Sequence, residues 1–215
     1  MVPEGFPGLA CGSDRPPGPC YDDVDGGDRV LQRNGVRIRP LDLEDLDKLY
    51  EWHQDAEIDA WAGWGPRMSR ARFLHRYEEV VREPPEDFVL FGVEYGDRLV
   101  GYIELAEMSR ISRRAAIGFV IGEKDVRRHG VATNAVVLML DYGFSLEDLD
   151  RIYAEVYPFN RASLRLLEKV GFQHEGTLRR HEVHQGVRTD LAVYGILRDE
   201  FYGRYSTALP NPDRR

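Results

Sequence analysis

Cysteine is nearly absent: among 215 residues only Cys11 and Cys20 occur, both in the first segment. Their spacing matches no metal-ligand pair, and with none elsewhere there is no disulfide framework. Long apolar runs are missing too, so nothing approaches the length needed to cross a bilayer. Leu9-Ala10-Cys11 has the shape of a lipoprotein cleavage site, but no basic start and apolar run precede it. Nor is there a basic excess. A formal charge of −8 and a pI of about 5.3 argue against general binding to nucleic acid or anionic membranes. The phosphate loop G-x-x-x-x-G-K-[ST] and the dinucleotide fingerprint G-x-G-x-x-G are both lacking, and no repeat is visible. These absences leave the expectation of a cytoplasmic protein with no metal, nucleic-acid or membrane partner.

What is present is enough for one good core, with 42% hydrophobic and 11% aromatic residues. Half of the net charge is local. Residues 1–30 carry Glu4, Asp14, Asp22, Asp23, Asp25 and Asp28 against Arg15 and Arg29, so 2 − 6 = −4. Their Gly, Pro and Asp content predicts a flexible acidic extension. A single domain is expected over 31–205, followed by a tail over 206–215.

Alternation in Val36-Arg37-Ile38-Arg39-Pro40 predicts the first strand. Asp42 and Asp45 form a capping pair before a helix that buries Leu43, Leu46, Leu49 and Tyr50. Residues 57–66 read as a loop with two tryptophans, and Ser69 caps a second helix. Phe88–Tyr95 and Leu99–Leu105 make a hairpin about Gly96-Asp97, followed by a strand over Ala115–Ile121. A helix over Gly130–Phe144, a strand over Arg151–Tyr157 and a helix from Asn160 to Gly171 come next. Two strands, roughly Phe172–His184 and Thr189–Leu197, close the pattern. The fold class is α/β (α+β): a mixed, mostly antiparallel sheet of six to seven strands flanked by about four helices.

Between the strand at Phe119-Val120-Ile121 and the next helix lies a basic turn, Arg127-Arg128-His129-Gly130, followed by Val131-Ala132-Thr133. Glycine permits close backbone approach, and the helix opening presents unpaired N–H groups and positive dipole. Such a turn suits an anion, most plausibly a phosphate. An ordinary strand-to-helix loop with basic surface residues would read the same way.

Arg127-x-x-Gly130-x-Ala132 resembles the acyl-CoA pyrophosphate loop of the GNAT acetyltransferases. Asn160-x-x-Ser163, then Glu168-Lys169-Val170-Gly171-Phe172 and Glu175-Gly176, resemble their closing motif, more narrowly that of the ribosomal-protein N-terminal (RimJ/RimL-like) group. Ile117-Gly118-Phe119, Trp52-x-x-Asp55, Gly63-Trp64-Gly65-Pro66 and Gly186…Asp190…Tyr194 are similar to further motifs of that group. The resemblance spans about 35–202. It implies a GNAT fold with splayed central strands and a transfer of acetyl from acetyl-CoA to a primary amine by direct attack in a ternary complex.

On that resemblance, Phe119, Val120 and Ile121 hold the pantetheine and acetyl carbonyl. The backbone N–H groups of Arg128, His129, Gly130, Val131, Ala132 and Thr133 take the pyrophosphate, with Arg127 in the same turn, while Asn160 and Ser163 meet the pantetheine. Asn160 and Ser163 are also what a helix cap alone would select. Leu167 stands where many GNAT enzymes carry a tyrosine that protonates the departing thiolate, so the role falls to Ser163. Ala116 replaces the acidic residue often found before Ile-Gly-[aromatic]. Glu104 is then the nearest candidate base, unless it is simply an exposed strand residue. Trp61 and Trp64, with Asp55, Glu57 and Asp59, would roof the acceptor site, as aromatics and carboxylates suit a cationic amine, unless the tryptophans simply pack the loop onto the core. Tyr102 and His181 join the acceptor side. His181 and His184, three apart on a strand, would face opposite sides. The acceptor could be a protein N-terminus, a polyamine, an aminoglycoside or an amino-acid-like antibiotic. A non-catalytic CoA-binding module is the alternative that Leu167 and Ala116 favour. A homodimer is compatible with the resemblance.

Overall fold

In the computed structural model, which describes residues 22–23, 29–62 and 68–205, nine strands form one mixed sheet in the order β1-β2-β3-β4-β5-β6-β7-β9-β8. They are β1 (Asp22–Asp23), β2 (Arg29–Arg33), β3 (Val36–Pro40), β4 (Val89–Tyr95), β5 (Arg98–Ser109), β6 (Arg114–Ile121), β7 (Arg151–Val156), β8 (Gln173–His184) and β9 (Val187–Leu197). The helices are α1 (Leu46–Gln54), α2 (Ala56–Ala62), α3 (Arg70–Arg82), α4 (Val131–Ser145), α5 (Arg161–Val170) and α6 (Arg198–Tyr205). A sheet that is mixed and mostly antiparallel, with helices packed on it, is what the alternation predicted.

The fold has more elements than predicted at both ends of the chain. β2 pairs with β3 through Asn34 and Gly35, both at positive φ, which is the two-residue turn that suits strand twist. α6 adds a short helix after β9. Of residues 57–66, expected as a loop, those described depart from it, since Ala56–Ala62 is helical. Asp55 explains this: its Oδ1 accepts the amide N–H of Glu57 at 2.8 Å and of Ile58 at 3.4 Å, capping the new helix. Trp64 lies outside the described residues.

The caps predicted from sequence are in place. The Asp42 amide donates to Asp45 Oδ2 at 2.8 Å, and the amide of Arg72 donates to Ser69 Oγ at 3.3 Å. One core cluster joins Ile38, Val93, Ile103 and Leu105 to Val136, Leu140 and Phe144 of α4, and reaches Leu164 and Leu167 of α5. The second joins Leu46, Leu49 and Trp52 of α1, Ile58 of α2 and Phe73 of α3 to Tyr102. Alternation along β5 thus gives Ile103 and Leu105 to one layer, and Tyr102 with Glu104 to the other.

β6 and β7 are the one parallel neighbouring pair among the described strands, and they pair only over Arg114–Ala116 with Arg151–Tyr153. Beyond that point β6 stays paired to β5 as far as Ile121, and β7 stays paired to β9 as far as Val156. The two strands therefore part within the sheet. No helix among the described residues is long and apolar enough to cross a membrane.

Candidate active site

Where β6 and β7 part, the edge groups of Ile117–Ile121 that face β7 have no strand partner. Backbone donors and acceptors left open at a sheet edge call for water or a ligand. Two cavities meet in this gap and share Trp61, Ala62, Phe119, Val120, Asn160 and Ser163.

The inner chamber adds Tyr102, Glu104, Gly118, Glu155 and Tyr157 to its lining. Gly118 is there for space: a Cβ on it would stand 2.8 Å from Glu104 Oε1. Opposite the bare glycine, the Glu104 carboxyl forms no hydrogen bond among the described residues. Burial pushes its pKa above the usual carboxylate range. Tyr77 on α3 is close enough that the negative charge of Glu104 adds to burial in raising the phenol.

The outer channel adds Glu57, Ile121, Arg127, Ala132, Phe159, Arg161 and Arg165. At its α4 end, Arg128 and Gly130 both have positive φ, 70° and 79°, so the chain turns tightly into the helix. The amides of Arg128, Gly130, Val131, Ala132 and Thr133 have no acceptor among the described residues, as expected at an open helix start. Asn134 fixes the turn: its Nδ2 donates to the Gly130 carbonyl at 3.0 Å, and its Oδ1 accepts from Arg33 Nε at 3.1 Å and Asn34 Nδ2 at 3.0 Å.

Across the gap, Asn160 Oδ1 accepts the Ser163 amide at 3.2 Å, so the capping role is present together with a place on both cavities. The Ser163 hydroxyl forms no hydrogen bond among the described residues. Leu167 is fully buried in the core, and its neighbour Leu166 is the one that lines the channel.

Several expected residues sit elsewhere. His129 donates its amide to the Val126 carbonyl at 3.4 Å and stacks its ring near Tyr95, so it does not join the row of open amides. Val131 turns its side chain into the core, which leaves its backbone amide, the group expected to act, in the row of open amides. His181 is exposed and lines neither cavity, because an irregularity between Leu178 and Glu182, with Arg180 at φ 52°, breaks the strand alternation. His184 instead packs on Tyr157 and Phe159, at centroid distances of 4.8 and 5.1 Å. The Asp55 and Glu57 carboxylates face Lys124 and Arg127 rather than an acceptor. Asp59 lines neither cavity. Trp61 is 46% exposed and meets Phe159 at 6.1 Å across the mouth.

The residues not singled out from sequence are Glu155, Tyr157, Phe159, Arg161 and Arg165. Arg161 and Arg165 lie one helical turn apart beside the Asn160/Ser163 motif, a spacing that could have flagged them. Among the described residues no group of three or more His, Cys, Asp or Glu is placed to hold a metal.

The chain as a whole has counterparts among known proteins. A family model described as the acetyltransferase (GNAT) domain matches residues 36–173. The chain belongs to the GNAT acetyltransferase family. It is 38% identical over 172 residues to the uncharacterized N-acetyltransferase YoaA of Bacillus subtilis, covering 79% of this chain and 97% of that protein. It is 28% identical over 174 residues to the spermidine N(1)-acetyltransferase of Escherichia coli K12, covering 81% and 92%. The crystal structure of spermidine N-acetyltransferase from Vibrio cholerae in complex with CoA and spermine superimposes with a TM-score of 0.72 at 25% identity, over 79% of this chain and 99% of that one. The protein is an N-acetyltransferase, an acyltransferase that acetylates amines from acetyl-CoA.

Gly130→Asp tests the turn. Asp tolerates positive φ better than most residues, and a Cβ there meets nothing nearer than Asn134 Nδ2 at 3.6 Å, so the variant should fold. If the turn holds a diphosphate, as the resemblance implies, this carboxylate would oppose it. Calorimetry should show CoA affinity reduced at least about tenfold, the equivalent of one unfavourable charge contact in a partly shielded site. Unchanged affinity would refute the assignment of the turn.

Proposed function

We propose that the acceptor is a small cationic amine of the polyamine class, and that acetyl-CoA lies along the channel of Arg127, Arg161 and Arg165. The observation that carries this reading is the division of charge across one gap. Glu104 and Glu155 line the inner chamber, where no Lys or Arg appears among the described residues. The outer channel holds three arginines against Glu57. An anionic thioester donor and a cationic amine are thus each favoured on a different side of the same cleft. The spermidine acetyltransferases among the relatives support the same acceptor class.

Acetyl-CoA supplies the activated acetyl thioester. Around it, the open amides from Gly130 to Thr133 receive the diphosphate, with Arg127 beside them. The free edge of β6 at Phe119–Ile121 positions the acyl end and offers N–H groups to the developing oxyanion. Asn160 directs its amide to the pantetheine, and Ser163 offers its hydroxyl to the leaving sulfur. Glu104 accepts the proton of the attacking amine, directly or through one water. Trp61 and Tyr157 shield the chamber and give ring faces to an alkylammonium.

The Asn160–Gly176 motifs resemble those of the RimJ/RimL-like group, a resemblance that would imply a protein N-terminus as acceptor. A chamber bordered by Glu104 and Glu155, with no Lys or Arg among its described lining, favours a polycation over a chain end that carries a single charge.

Acetyl-CoA mixed with spermidine, an aminoglycoside and an N-terminal peptide, with release of CoA thiol followed, checks the acceptor. Spermidine should support turnover at least about tenfold faster than the peptide, one chamber charge contact being worth that much. Turnover with the peptide alone would overturn the polyamine reading.

Glu104 gives a pH signature. Burial favours its neutral form, so the basic carboxylate accumulates only above a raised pKa, and activity is lost as pH falls through that value. Glu104→Gln should lower kcat by about 10²-fold or more and abolish this acid limb. A variant that keeps the limb at near-normal rate would remove Glu104 from the mechanism.

A further inference from the structure

The cation that the cofactor needs is already held by an anion of the chain. Arg127 Nη1 lies 2.5 Å from Glu57 Oε1, and Lys124 Nζ lies 2.8 Å from Glu57 Oε2 and 3.1 Å from Asp55 Oδ2. Lys124 first, and then Arg127, hold the Glu57 carboxyl below the ordinary range, so it is ionised at neutral pH. Glu57 and Arg127 line the same channel, and Ala132 of the α4 opening lines it too. Glu57 therefore occupies, with a carboxylate, charge that a diphosphate would engage. Its helix is short and tied at both ends: Asp55 and Glu57 bind the basic turn, while Trp61, one turn further along, rests on Phe159 across the gap.

We propose that Glu57 is an internal competitor for Arg127, which the cofactor diphosphate displaces on binding and which recaptures that cation as CoA departs. The inference rests on the reading of this channel as the acetyl-CoA site. It assigns Glu57 to cofactor exchange rather than to the acceptor, and makes the exchange specific for donors that carry a diphosphate. A pantetheine without phosphates cannot compete for Arg127 and gains nothing from its release. Exposed ion pairs are individually weak, so the effect is a tuning of affinity and off-rate.

The test is calorimetric titration of CoA, and separately of pantetheine, into wild type, Glu57→Gln and Asp59→Asn. Asp59→Asn removes the same unit of charge from the same helix without touching Arg127, and so controls for the general field. Glu57→Gln should bind CoA about three- to tenfold more tightly, as expected for exposed ion pairs, with slower CoA dissociation in stopped flow. Pantetheine affinity should not differ among the three proteins, and Asp59→Asn should match wild type for CoA within about twofold. Unchanged or weaker CoA binding by Glu57→Gln overturns the proposal, as does an equal gain in Asp59→Asn. If wild type and both variants all fail to bind CoA, the channel assignment itself falls and the competitor role falls with it.

Discussion

The end of hydrogen bonding between β6 and β7 after Ala116 and Tyr153 is the constraint on which the remaining features hang. Each strand is fully paired on its outer side, so the sheet is stable as two halves while its middle opens. The open edges cannot stay unsatisfied, since a buried amide without a partner costs as much as a lost hydrogen bond. A bound chain with its own amides, running along Phe119–Ile121, meets that requirement better than side chains filling the gap would. The wedge also sets the other distances. It aims the opening of α4 at one end of the cleft, and leaves Glu104 and the bare face of Gly118 at the other.

Charge then gives the wedge a direction. Arginines from α5 and from the turn before α4 line the outer channel, and carboxylates from β5 and β7 line the chamber. A chain of net charge −8 repels an anionic cofactor at long range, so a local basic channel is needed to draw one in. On the function proposed above, the partition also keeps donor and acceptor from exchanging places, which matters for direct transfer.

Much of the frame was legible because its signals are local. Asp42, Ser69, Asn160 and Gly171 act within one helical turn, and they cap or end helices as their types require. The Arg127-x-x-Gly130-x-Ala132 turn was visible for the same reason. Asn34-Gly35 carried an equally local hairpin signal, but the acidic segment before it obscured where the sheet begins. Other features depend on long-range pairing. Nothing in residues 55–59 says that two carboxylates will meet cations some seventy positions away, and they read equally well as an acceptor roof. His181 failed because one irregularity in β8 reverses a parity that alternation assumes. Arg161, Arg165 and Glu155 are types that usually cover exposed faces, so only the gap beside them gives them a role.

The central claim is that the cofactor completes the open edge of β6 and the open amides before α4. Amide hydrogen exchange with and without CoA measures this directly. The account predicts slower exchange in Ile117–Ile121 and Gly130–Thr133 on adding CoA, with β3 and β4 unchanged. Protection that appears elsewhere while those two stretches exchange as before would contradict it.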